Sequence, residues 1–265
     1  MDLGKVNRGA YLAPQVIRDF GLVKILDSCI KNLKDIGDLS MKISDKLDID
    51  NNFKFNIRDI VPDFEKINRA VSNIISENYF PLILGGDHSI SIGTISGIAK
   101  HYKNLGVIWY DAHVDLNTPE TTITGSIYGM PLAVNLGLGY PELVGIDGYS
   151  PKVKFENIIF IGTRELDDGE KNLLINNDLT VFTVNDVKKL GMCKVMEKAL
   201  DKLHLRCDGI HLSFDLDSLN PDDAPGVRTP CPIGLSHEES ILALKILNRS
   251  KLITSAEFVE LNPFL

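Results

Sequence analysis

The chain has 265 residues, 36 of them acidic and 28 basic, for a formal net charge of −8. Hydrophobic residues make up 44% and charged residues 24%, which excludes a disordered, collagen-like or coiled-coil chain, and the length suits one large α/β domain or two small ones; no clear linker divides the chain, so one domain over residues 1–265 is expected. The acidic excess argues against nucleic acid as the main partner, because phosphate binding needs clustered Lys and Arg.

In chain order, Met1-Asp2-Leu3-Gly4-Lys5 has no apolar run and no signal-peptide character. The strongest apolar stretch, Tyr79 to Leu84, is too short to cross a membrane. A cytoplasmic protein with no membrane partner is therefore expected. Ile67, Ala70, Val71, Ile74 and Ile75 share one helical face, and the first strand is expected at Phe80–Leu84. Further strands are expected at Gly106–Tyr110, Asn157–Ile161, Leu179–Thr183, Gly209–Phe214 and Thr254–Glu260. They are rich in β-branched and aromatic residues and do not alternate strictly, as suits strands buried on both faces of a parallel sheet.

Between the fourth and fifth strands, Val195, Met196, Ala199, Leu200 and Leu203 form a second helical face. Ser236-His237-Glu238-Glu239 has capping-box spacing and opens a helix that runs to Leu247. Such strand–helix alternation predicts an α/β domain with a mostly parallel, doubly wound sheet and helices on both faces. Asn117 to Gly129 is polar and aperiodic, and Asn220 to Pro232 holds four prolines. Both are expected as long loops, which are often functional. Cys29, Cys193, Cys207 and Cys231 have no CxxC spacing and are expected as unpaired thiols.

Four polar clusters each follow a predicted strand. They are Gly85-Gly86-Asp87-His88-Ser89, Asp111-Ala112-His113-Val114-Asp115, Asp215-Leu216-Asp217 and Glu260-Leu261-Asn262-Pro263. In open parallel sheets, ligands bind outside the carboxyl ends of the strands, so the four clusters should meet in one crevice. On an extended segment, residues two apart point the same way. Asp111, His113 and Asp115 would then face one point, as would Asp215 and Asp217. With His88, four carboxylates and two imidazoles gather, and the carboxylates repel unless cations neutralise them. Two divalent ions balance that charge. Asp/His ligands without thiolate favour Mn²⁺, with Zn²⁺, Fe²⁺ or Co²⁺ as alternatives.

These segments resemble the arginase branch of the ureohydrolases. The resemblance is carried by GGDHS at 85–89, DAHVDLNTPET at 111–121, SFDLDSLNPDDAPG at 213–226 and EFVELNP at 257–263. It includes Ile161-Gly162-Thr163-Arg164 and the Leu166-Asp167-Asp168-Gly169-Glu170 that follows. The metal motifs are shared with agmatinases, whereas the NTPET loop and the Asp-x-Gly-Glu segment lean towards arginase.

The resemblance implies hydrolysis of L-arginine to L-ornithine and urea by a hydroxide bridging two Mn²⁺ ions. One ion would be held by His88, Asp111, Asp115 and Asp215, and the other by Asp111, His113, Asp215 and Asp217. Asp111 and Asp215 would then bridge. Glu260 would hold the substrate guanidinium and Asp217 would carry the proton to the leaving amine. Asn117, Thr124 and Ser126 match positions for the α-carboxylate, and Asp167 and Glu170 match positions near the α-ammonium. Thr229 falls with the substrate-binding positions. The resemblance also implies a homo-oligomer, a trimer or a hexamer.

Three features depart from the family pattern. Tyr128 stands where the family has a proton-shuttling histidine, and Ser126 stands where it has Asn. A phenol ordinarily titrates near ~10 against ~6.5 for an imidazole, so a slower enzyme is expected. Arg228 replaces a small residue ahead of Thr229 and Pro230. It either points to solvent or places a new cation that repels the substrate or pairs with a carboxylate. The usual first strand before Met1 and the C-terminal helix after Asn262-Pro263 are not seen in the sequence. Two alternatives stay open: another guanidino-hydrolase, such as an agmatinase or guanidinobutyrase, and a weakly catalytic regulatory homologue that keeps the metal site.

Overall fold

A computed structural model describes residues 1–3, 7–41 and 57–265. Gly4 and Lys5 of the opening segment therefore lie outside the described residues. Six strands form one sheet: β1 (Leu82–Leu84), β2 (Leu105–Tyr110), β3 (Ile158–Thr163), β4 (Thr180–Thr183), β5 (Gly209–Asp215) and β6 (Ile253–Val259). Their order is β1-β6-β5-β2-β3-β4, and every pairing is parallel. All six expected strands are present, with ends shifted by one or two residues. Phe80 and Pro81 precede β1, and Glu260 follows β6.

Among the described residues, ten α-helices connect and cover the strands. They are α1 (Ala13–Asp19), α2 (Leu22–Cys29), α3 (Ile57–Ser76), α4 (Ser91–Ala99), α5 (Pro131–Asn135), α6 (Pro141–Val144), α7 (Asp168–Asn176), α8 (Val184–Leu190), α9 (Met192–His204) and α10 (His237–Ser250). The sheet divides the core in two. Val107 and Trp109 of β2 pack on one face with Phe64 and Ile67 of α3 and Ile92 and Ile95 of α4. Ile108 and Tyr110 pack on the other face with Val195, Met196 and Ala199 of α9 and Ala243 of α10. Every residue of β2, β3 and β5 is buried, which is why these strands read as continuous apolar runs. Each Val, Leu, Ile or Phe side chain so removed from water contributes about 1.5–3 kcal/mol.

Two glycines bring α4 unusually close to α3. A Cβ at Gly93 would lie 2.6 Å from the Phe64 carbonyl oxygen, and one at Gly97 would lie 2.5 Å from that of Asn68. Any larger residue at either position would push the helices apart. Helix α10 begins with the expected capping box, in which the Ser236 and Glu239 side chains each bond the other's backbone N–H.

The register sets the site. Tyr110 pairs with both Ile161 and Phe214, Asp215 pairs with Val259, and Leu84 pairs with Phe258. Asp111, Asp215, Glu260 and the Gly85–His88 turn therefore emerge along one edge. From β2 the chain moves to β3 and β4 on one side, then returns to β5 and β6 on the other. The switch point lies between β2 and β5, where open α/β sheets form a crevice.

Candidate metal centre

The clusters converge, although the local backbone differs from simple alternation. β2 ends at Tyr110, the following residues bend, and Asp115 takes a left-handed φ of 50°. Asp217 sits in a single 3-10 turn, Leu216–Ser218, that follows β5. Turns rather than extended strands thus aim these side chains. The carboxylates supply their own turn bonds: Asp111 Oδ1 accepts the His113 N–H at 2.7 Å, and Asp215 Oδ1 accepts the Asp217 N–H at 2.7 Å. Each has its second oxygen left over.

Two ligand groups result. His88, Asp111 and Asp215 form one, and Asp111, His113 and Asp217 form the other. Asp111 is common to both. His88 Nδ1 lies 2.9 Å from Asp111 Oδ2, 3.1 Å from Asp215 Oδ2 and 3.2 Å from Asp115 Oδ2. His113 Nδ1 lies 3.1 Å from Asp217 Oδ2 and 3.4 Å from Asp111 Oδ1. Asp115 thus adjoins the first group through His88.

Burial opposes charge on each carboxylate. Asp115 is pushed up to about 6 by burial and by the neighbouring Asp111 charge. Burial and the charges of Asp217 and Asp111 hold Asp215 well above the usual range, and burial and Asp111 raise Asp217. Asp111 goes the other way, because its two histidines outweigh the burial. Burial would lower His88, but Asp111, Asp115 and Asp215 hold it well above its ordinary value. Without cations, protons must supply the missing positive charge.

The residues fit a pair of divalent ions. His88 Nδ1 and Asp111 Oδ2 are buried and make no hydrogen bond, although they lie within bonding distance of one another. Converging acceptors without donors are what a cation requires, and mixed His and Asp donors suit a borderline metal.

A buried relay behind His88 fixes its orientation, and it went unrecognised in the sequence. Ser213 Oγ donates to Glu257 Oε1 at 2.7 Å and lies 2.8 Å from His88 Nε2. Its single proton is thereby used, so His88 Nε2 must be the donor and Nδ1 is the nitrogen turned to the ligand cluster, free to bind a cation once its proton is displaced. The His88 ring stacks on Trp109 with centroids 4.1 Å apart and planes 4° apart. Glu257 also accepts from Ser91 Oγ at 2.5 Å and lies 3.2 Å from His211 Nε2. Glu257 stays charged at about 2, because His211 outweighs its burial. The available signal was polar residues at alternate positions of buried strands: His211 and Ser213 on β5, Ser255 and Glu257 on β6.

The Arginase family matches residues 1–265. The arginase of Bacillus subtilis (strain 168) is 49% identical over 265 residues, covering 100% of this chain and 88% of its own length. The native structure of arginase from Bacillus caldovelox superposes with a TM-score of 0.94 at 47% identity, covering 100% of this chain and 89% of that one. Entamoeba histolytica arginase, solved in complex with L-ornithine, gives 0.82 at 31% identity and covers 97% and 86%.

The chain belongs to the arginase family. It is a metal-dependent hydrolase of the binuclear kind.

The other residues singled out in the sequence make these contacts. Glu260 is buried with a φ of 68°, and its Oε1 accepts the His88 N–H at 2.8 Å. Burial pushes its carboxyl up to about 8, against the Arg228 charge. Thr229 donates from Oγ1 to Asp217 Oδ2 at 3.0 Å. Asn117 Nδ2 donates to Asp167 Oδ2 at 2.8 Å, and Asn117 Oδ1 accepts from Thr121 at 2.9 Å. Ser126 is buried, and its N–H is accepted by the exposed Thr124 Oγ1 at 3.2 Å. Glu170 turns inward, accepting from Leu116 N at 3.1 Å and Asp167 N at 2.9 Å. It thereby ties α7 to the loop that follows Asp115.

Arg228 is 4% exposed and does not point to solvent. It pairs with Asp2 and lies 3.7 Å from Asp87, and its guanidinium lies 5.0 Å from the Tyr128 ring centroid. Of the two sequence expectations, a new internal cation is the one realised, and it pairs with Asp2. The four cysteines are free, as expected. No helix among the described residues is long and apolar enough to cross a membrane.

Arg164, named in the sequence only as part of a motif, anchors the loops. Its guanidinium donates to the carbonyls of Gly162, Asp217, Ser218, Leu219, Cys231 and Pro232 at 2.7–3.2 Å. One fixed fork thus joins the turn bearing Asp217 to the proline-rich segment.

Proposed function

We propose that residues 1–265 act as one manganese-dependent arginase domain, hydrolysing L-arginine to L-ornithine and urea at a two-ion site. The observation that carries the reading is the pair of adjacent ligand groups sharing Asp111, with Glu260 bonded to the backbone of His88. A bound metal pair supplies Lewis acidity that lowers the pKa of water towards neutrality, which a poorly electrophilic guanidinium requires. His88, Asp111, Asp115 and Asp215 would hold one ion. Asp111, His113, Asp215 and Asp217 would hold the other.

The protein's own groups supply the rest. Glu260 receives the guanidinium through charge-assisted hydrogen bonds. Asp217 moves a proton to the leaving amine while Thr229 steadies its outer oxygen. Asn117, Thr124 and Ser126 bind the substrate carboxylate. Asp167 and Glu170 lie on the ammonium side, Asp167 directly and Glu170 by holding the loop. Tyr128 in place of histidine slows proton exchange with bulk water. The active species is a cytoplasmic homo-oligomer, a trimer or hexamer.

Urea release from L-arginine, agmatine and 4-guanidinobutyrate by Mn²⁺-loaded protein tests the reading. Turnover of L-arginine above the other two is expected. Turnover of agmatine alone would assign the chain to agmatinases. Bound Mn²⁺ without urea from any of the three would assign it to the regulatory reading.

A further inference from the structure

We propose that Arg228 is a specificity-determining residue whose side chain sets an internal guanidinium against Glu260, the carboxylate meant for the guanidinium of the substrate. The proposal rests on the arginase reading above. Val227 and Leu261 form an antiparallel bridge, and the Asn262 N–H donates to the Gly226 carbonyl at 2.7 Å. Residues 228 and 260 follow and precede that bridge, so they stand opposite each other across it.

Both side chains are buried and both hold unspent hydrogen-bonding atoms. Arg228 Nε and Nη1 make no hydrogen bond, and neither does Glu260 Oε2. Tyr128 closes one side of the guanidinium, with 5.0 Å from Cζ to the ring centroid. Asp2 and Asp87 lie at its Nη atoms. A guanidinium between an aromatic face and carboxylates is the arrangement a protein uses to bind that cation as a ligand. Two of the residues that depart from the family pattern, Tyr128 and Arg228, therefore touch each other and form one device. An incoming guanidinium at Glu260 meets the positive side chain of Arg228 across the bridge, a charge that Asp2 and Asp87 offset only in part, in a water-poor site where such charges are screened least. The penalty falls on any cationic guanidine and acts at the binding step.

The test compares the parent chain with Arg228→Gly, Arg228→Gln and Arg228→Lys, all Mn²⁺-loaded. KM for L-arginine should fall at least tenfold in Arg228→Gly and Arg228→Gln, while kcat changes less. Arg228→Lys should stay within about threefold of the parent, because it restores the charge. Guanidinium chloride, used as a competitive inhibitor, should bind the two neutral variants at least tenfold more tightly. Arg228→Gln keeps a donor for Asp2, so it remains informative if Arg228→Gly fails to fold. Urea release with unchanged KM and unchanged guanidinium inhibition in the neutral variants would overturn this proposal alone. No urea release from the parent or any variant, and no guanidinium bound by calorimetry, would overturn the underlying reading as well.

Discussion

Replacing Ser213 by alanine should weaken metal binding without touching a ligand. The hydroxyl sits between two buried groups, 2.8 Å from His88 Nε2 and 2.7 Å from Glu257 Oε1. Its removal orphans the Nε2 proton, and leaving one buried donor unsatisfied costs about 1–3 kcal/mol. The imidazole then gains by moving its proton to Nδ1, where three carboxylates lie within 3.2 Å. That tautomer cannot hold an ion at Nδ1. Losing such an outer partner lowers metal affinity ~10- to 100-fold, or about 1.4–2.8 kcal/mol.

Trp109 offers the assay. It is the only tryptophan in the chain, and it stacks on the His88 ring at 4.1 Å. Mn²⁺ titration followed by its fluorescence, with calorimetry for stoichiometry, should show the weaker of the two binding steps displaced in Ser213→Ala. Ser213→Thr keeps the hydroxyl and should bind as the parent does. Equal affinity and stoichiometry in Ser213→Ala and the parent would refute the tautomer reasoning.

Three further perturbations follow from the same contacts. Arg164→Ala removes a guanidinium from six carbonyls and should cost about 3 kcal/mol or more, lowering the melting temperature by roughly 6–12 °C; a loss under 2 °C would show that the loops hold without it. Tyr128→His should raise urea production near neutral pH, by up to ~100-fold at the lower end of proton-transfer effects, and an unchanged rate would remove Tyr128 as the cause of slow turnover. Glu170 rises from 4.5 to about 7, through burial that outweighs its two backbone N–H donors. The folded chain thus keeps a proton that the unfolded chain releases, and stability present at acid pH is lost as pH rises through 7, by up to about 3 kcal/mol. Melting of metal-free protein should therefore fall between pH 5 and 8, and Glu170→Gln should flatten the fall; a rising profile in the parent would contradict the sign.

All six strands were legible because burial on both sheet faces writes itself as short apolar runs, from Gly106–Tyr110 to Gly209–Phe214. The convergence of the two candidate ligand groups was legible for a related reason. Four charged clusters at four strand ends have no packing role, so their positions pointed to one crevice. The mechanism of convergence was not legible. Asp115 at a φ of 50° and Asp217 in a 3-10 turn depend on turn geometry that residue spacing does not encode. Relay members were hidden for another reason. Ser213 and Glu257 become partners only through the β5–β6 register, a contact between residues 44 apart. Arg228 stayed open between solvent and a new internal cation because nothing local in Gly226-Val227-Arg228-Thr229 reveals Asp2, which lies 226 positions away.

Repulsion inside the ligand cluster explains why so many bonds hold the surrounding turns. Two like charges about 4 Å apart cost about 4 kcal/mol at an effective dielectric near 20, and Asp111, Asp115, Asp215 and Asp217 are all buried. Turns free to move would relax by swinging the carboxylates into solvent. Each is held instead by contacts that do not involve metal. Asp111 and Asp215 accept backbone N–H groups two residues ahead. Asp217 is fixed by Thr229 and by Arg164 at its own carbonyl. Asp115 is followed by Leu116, whose N–H is bound by Glu170. The fold thereby keeps a strained anionic cluster assembled, and the energy of that strain is released when cations replace protons there. Stabilisation by Mn²⁺ should therefore be larger at pH 8, where the protons are gone, than at pH 5, where metal must first displace them. A Mn²⁺-induced rise in melting temperature that shrinks as pH increases would contradict this account of the cluster.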